Sequence, residues 1–80
     1  MKLKEALKRL KGYYFIRDKQ GKCICTNHKD YLDNQDEYQY PKATNEILKQ
    51  YEDYEICEID SAYDGWSESW ITLYIYKEEN

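Results

Sequence analysis

Apolar positions along this chain alternate between a helical and a strand period, and the changes mark out its elements. Leu3, Ala6, Leu7 and Leu10 fall at i, i+3, i+4 and i+7, one stripe of a helix over residues 2–11. Lys8, Arg9 and Lys11 lie in its last turn, where cations complement the helix dipole, and Gly12 supplies a left-handed stop. Residues 13–17 and 22–26 then read as two strands of a hairpin. Their link, Asp18-Lys-Gln-Gly21, has Asp at the first turn position and Gly at the fourth, the chemistry of a type I turn followed by a bulge. Continued from that turn, the ladder sets Ile16 opposite Ile24, Phe15 opposite Cys25 and Arg17 opposite Cys23. Both faces of the hairpin are apolar, and alternation does not choose between them.

Residues 27–42 follow neither period. They interleave Asp30, Asp33, Asp36 and Glu37 with Tyr31, Tyr38 and Tyr40 and end at Pro41, which reads as a long loop of the kind that carries function. Thr44 caps a second helix running to about Glu52, with Ala43, Ile47, Leu48 and Tyr51 as its apolar side. A third strand is expected over residues 54–60 and a turn over 61–67, around Asp64-Gly65. Residues 69–76 form the clearest strand: Ile71, Leu73 and Ile75 alternate with Trp70, Thr72, Tyr74 and Tyr76. The aliphatic set should face the core. These elements predict one α+β domain over residues 1–80, in the order α-β-β-α-β-β, with two helices covering one face of a four-stranded antiparallel sheet.

Composition narrows the function. No run of about 18 apolar residues is present, so no membrane span is expected. The charged opening residues lack the continuous apolar stretch of a secretory signal, so a cytoplasmic location in the host cell is expected, with Cys23, Cys25 and Cys57 as reduced thiols. Tyr supplies ten of the 80 residues, more than so small a core can hold, so several Tyr rings should reach the surface. Charge is segregated. Residues 1–29 hold nine Lys/Arg against two Asp/Glu, a net of +7; residues 30–80 hold three against fourteen, a net of −11. From Gln50 to Tyr76 there is no cation at all. Either the two halves neutralise each other in the fold, or the surface has a basic end and an acidic face.

Cys23, Cys25 and His28, with Cys57 remote, are the nearest approach to a metal-binding set. Cys-x-Cys on a strand, however, points both thiols to one face at a spacing unlike a zinc knuckle, and buried cysteine is common for its own sake. Structural thiols and no metal or other cofactor are expected. No nucleophile motif surrounds His28, the one histidine, and no Gly-rich phosphate loop is present, so the chain is not read as an enzyme. The face carrying Trp70, Tyr74 and Tyr76, joined by Tyr63 and Trp66, suits either cross-strand packing or a protein-binding patch. A stacking platform for nucleic acid would need nearby Lys and Arg, and the local charge is negative.

Size, the opening Lys2-Leu-Lys-Glu-Ala-Leu-Lys-Arg-Leu helix, the Tyr-rich acidic middle and the closing Trp70-Ile-Thr-Leu-Tyr-Ile-Tyr strand together resemble small accessory proteins of phages and prophages, anti-CRISPR proteins among them. That resemblance implies an acidic fold that occupies the nucleic-acid site of a host nuclease, although the +7 N-terminal segment departs from a uniformly acidic mimic. The expected function is therefore inhibition or modulation of a host nucleic-acid-handling protein with a basic surface. Partner contacts are assigned to Asp30, Asp33, Asp36 and Glu37 in the loop and to Glu55, Glu58, Asp60, Asp64 and Glu68 beyond it, with Tyr38, Tyr40, Trp66 and Trp70 as anchors. Two alternatives remain: an accessory protein that binds nucleic acid through its basic first helix, or a homodimer that buries the Trp70/Tyr74/Tyr76 face.

Overall fold

The centre of the sheet is formed by two strands from opposite ends of the chain. The computed structural model describes residues 1–28, 40–63 and 69–77. Helix α1 (Leu3–Arg9) precedes strands β1 (Tyr13–Arg17) and β2 (Cys23–Thr26); helix α2 (Asn45–Tyr51) precedes β3 (Glu55–Tyr63) and β4 (Ser69–Tyr76). The strands lie side by side as β2-β1-β4-β3. β1 pairs antiparallel with β2, and β3 pairs antiparallel with β4, but β1 and β4 run parallel. The sheet is thus mixed, not purely antiparallel, and its spatial order is not the order along the chain. Burial explains the arrangement. With β4 inside, Leu73 and Ile75 are buried to 1% exposure, while the acid-rich β3 stays at an edge. Putting β3 inside would have dehydrated Glu58 and Asp60 without partners.

Both helices cover one face. Leu3, Ala6, Ile16, Cys25, Leu73 and Ile75 form the core there, with Ile47, Leu48, Tyr51, Ile56 and Ile71 packed against it. A helix of two turns is not stable alone, and α1 is held by tertiary contacts. Its N-cap, Lys2, makes no side-chain cap. Instead Leu3 N–H donates to Tyr54 C=O (2.9 Å) and Lys4 N–H to Glu52 C=O (3.0 Å), so the entry to β3 satisfies the orphan donors. α2 is capped as expected: Thr44 Oγ1 accepts from Ile47 N–H at 3.2 Å.

The hairpin turn also forms as expected. Gly21 N–H donates to Asp18 C=O at 3.0 Å, Asp18 Oδ1 accepts from Gln20 and Lys22 N–H at 2.9 Å each, and Gly21 takes a φ of +89°. Beyond it the register differs from the simple ladder. Arg17 does oppose Cys23, but Ile16 opposes Cys25 and Phe15 opposes Thr26, because a bulge leaves Ile24 without an opposite residue. β3 also outlasts its expected end at residue 60, since Ser61, Ala62 and Tyr63 continue the ladder opposite Ile71, Trp70 and Ser69. α1 is shorter than its apolar stripe, ending at Arg9 with Leu10 already extended.

Candidate functional site

The sheet face away from the helices carries an aromatic cluster. Alternation puts Tyr13 and Phe15 of β1 on this face together with Trp70, Thr72 and Tyr74 of β4, in a register that pairs Tyr13 with Trp70 and Phe15 with Thr72. His28, just past β2, folds over them. Its ring centroid lies 4.2 Å from Tyr13, 5.9 Å from Phe15 and 5.8 Å from Trp70, the last edge-on at 84°. Trp70 and Tyr40 each meet Phe15 edge to face at 6.2 Å. Phe15 and His28 are 2% exposed, whereas Trp70 and Tyr40 are partly buried. Two of the four expected anchors are therefore brought together, with His28, which the sequence brought forward only as a possible metal ligand or base, as a further member. Lying after the last residue of β2, it belonged to neither periodic segment.

Asn27 and Thr26 place this cluster. Asn27 Oδ1 accepts from Tyr14 N–H at 2.7 Å, and its Nδ2 donates to Gly12 C=O at 3.1 Å. The fully buried Thr26 donates its hydroxyl to Tyr14 C=O at 2.7 Å and accepts His28 N–H at 3.1 Å. These side chains continue the β1–β2 ladder past its last residue and set His28 against the rings. Residues 41–43 then run beside Thr26, which donates its N–H to Pro41 C=O and accepts Ala43 N–H, each at 2.9 Å.

The acids divide. Glu58 opposes Tyr74 and Asp60 opposes Thr72, so both join the aromatic face, and both are exposed. Glu55 is partly buried and takes the N-terminal ammonium at 3.3 Å. Asp53, outside the expected contacts, lies 3.2 Å from Lys4 and 3.9 Å from Lys2. The basic N-terminus thus neutralises the start of β3 and leaves Glu58 and Asp60 without a nearby ion pair among the described residues. Asp30, Asp33, Asp36, Glu37, Tyr38, Asp64, Trp66 and Glu68 lie outside the described residues.

The cysteines do not converge. Cys23 and Cys25 are buried on β2, at one edge of the sheet, while Cys57 is exposed at the bulge in β3, at the other. Three strand spacings, about 14 Å, separate these edges, so Cys57 shares no metal site with the pair, and its exposure keeps it out of their apolar layer. No group of three or more His, Cys, Asp or Glu among the described residues is arranged to hold a metal ion. Burial, reinforced by the neighbouring Cys23, pushes the Cys25 thiol up to about 12; burial also raises Cys23, against the lowering effect of Arg17. Both stay protonated near neutral pH, which unfits them as nucleophiles.

A groove of about 700 Å³ opens on the helix side between the hairpin turn and α2, floored by Ile24, Ile47, Tyr51 and Ile75. Lys19 stands at its rim with its ammonium 4.3 Å above the Tyr76 ring. Of the expected contact residues, none of the described ones lines it. No helix among the described residues is long and apolar enough to cross a membrane. No protein-family model, curated protein or solved structure matches this chain.

Proposed function

We propose that this chain is a small acidic binding protein that inhibits or modulates a host nucleic-acid-handling protein by occupying its basic surface, as an anti-CRISPR-like accessory protein of a phage or prophage would. The observation that carries this reading is the placement of Glu58 and Asp60. Both are exposed, and in register with Tyr74 and Thr72 they stand on the face that presents Trp70. Aromatic anchors bordered by acids complement a lysine- and arginine-lined groove. The aromatic rings supply the desolvated contact, and the carboxylates steer encounter. The protein acts by binding, with no reaction of its own. One feature favours this reading over nucleic-acid binding by the basic helix: Lys2 and Lys4 at its start already face Asp53.

The test is capture from the native host followed by competition. The captured protein should handle nucleic acid, be displaced by its own nucleic-acid substrate, and bind less tightly as salt rises. The double variant Glu58→Gln/Asp60→Asn should weaken binding about tenfold at low salt, roughly the effect of losing two partly desolvated charge contacts. Binding that is indifferent to the competitor and to both substitutions rules the reading out.

A further inference from the structure

Each edge of the sheet is covered over only part of its length. At the β2 edge, residues 41–43 bond to Thr26 and Lys42 forms a parallel bridge with it. At the β3 edge, the first two residues of the chain do the same, but only at its start. Ile56 N–H donates to Met1 C=O at 2.9 Å, and Lys2 forms an antiparallel bridge with Glu55. The chain then turns into α1, and among the described residues no hydrogen bond reaches the outer edge of β3 from residue 57 to residue 63. Alternate residues of a strand direct N–H and C=O away from their one partner strand, so this stretch offers a row of groups with no partner among the described residues. Residues 57–61 are all exposed, and Ile59 is the large apolar side chain left open there, at 57% exposure.

We infer that this edge is a strand-addition site for an extended basic segment of a partner protein, with Lys or Arg at alternate positions and an apolar residue between them. The inference rests on the reading of Glu58 and Asp60 as partner-facing acids and adds the backbone to it. Along β3, Glu58 and Asp60 point to one face and Ile59 to the other. A segment paired with this edge would set its basic residues beside the two carboxylates and its apolar residue beside Ile59. A second copy of β3 fits poorly. Antiparallel pairing with matched faces sets Glu58 opposite Asp60, and like charges directly opposed are destabilising. Met1 and Lys2 already demonstrate the geometry, since they add to the same edge in the antiparallel sense with a lysine opposite a glutamate.

The probe is an end-blocked peptide, Lys-Thr-Lys-Val-Lys-Thr-Lys, titrated into the full ¹⁵N-labelled chain at millimolar concentration. Amide shifts should concentrate in residues 57–63, whose amide exchange should slow at least tenfold. N-methylation of alternate peptide nitrogens on one edge of the peptide should abolish binding, since it removes the donors and leaves the charge intact. Glu58→Gln/Asp60→Asn should weaken it about tenfold. Shifts confined to Tyr13, Tyr40 and Trp70 would sink strand addition and leave the acidic-face reading standing. Protection of residues 57–63 that is indifferent to the double variant would overturn the role of the acids. Protection that grows with protein concentration in the absence of peptide would make the occupant a second copy and overturn the proposal. So would a peptide that perturbs nothing, or an N-methylated peptide that binds as well.

Discussion

Replacing Asn27 by Ala should cost this protein a large part of its stability, although the side chain is only partly buried. The amide makes two bonds to backbone. Oδ1 accepts from Tyr14 N–H at 2.7 Å, and Nδ2 donates to Gly12 C=O at 3.1 Å, across 13 and 15 residues of chain. Each such bond is worth about 1 kcal/mol net, and a donor left unpaired in a partly buried place adds more, so the loss should be about 2 kcal/mol. A domain of this size has roughly 4–12 kcal/mol in total, and the melting temperature should fall by about 8–16 °C. Urea unfolding followed by Trp fluorescence would measure it. Asn27→Asp should fall between wild type and Asn27→Ala, because it keeps the acceptor and loses the donor. Asn45→Ala, at the exposed start of α2, should stay within about 0.5 kcal/mol of wild type. If Asn27→Ala also stays within that margin, the amide is not what joins Gly12 and Tyr14 to the end of β2.

Two further changes test the core. Leu73→Ala empties a site that is 1% exposed at the centre of the sheet and should cost about 2–5 kcal/mol, read from the same urea midpoint; a loss under 1 kcal/mol would place Leu73 outside the core. The Cys25 thiol should make stability fall in alkali. It ionises near its ordinary value of 9 in the unfolded chain but only at about 12 in the fold. Below about pH 8 both states hold the proton. As pH rises toward 12 the unfolded chain releases it first, so stability declines. Cys25→Ala should flatten that slope between pH 8 and 10, and an unchanged slope would refute the buried thiol as its source.

Much of the local structure was legible in residue order. Asp18 and Gly21 specified the turn, Thr44 the cap of α2, and strict alternation over residues 69–76 the whole of β4 with Leu73 and Ile75 inward. These features depend on a side chain and its near neighbours, so the chain displays them directly. What lay beyond reach involved residues distant in sequence. The bulge at Ile24 moved the hairpin register by one residue, which a turn motif cannot report. Cys57 lies across the sheet from Cys23 and Cys25, and no spacing along the chain says which strands are neighbours. The parallel contact of β1 with β4 joins strands from opposite ends of the chain, a choice made over the whole sheet. The same choice left β3 at an edge with Glu58, Ile59 and Asp60 facing water. Sequence order thus determined which residues are acidic, aromatic or apolar and how they alternate along each strand. Tertiary packing decided that Trp70 and Tyr40 meet on Phe15 and that two acids flank that face, because burial is settled between elements and not within them.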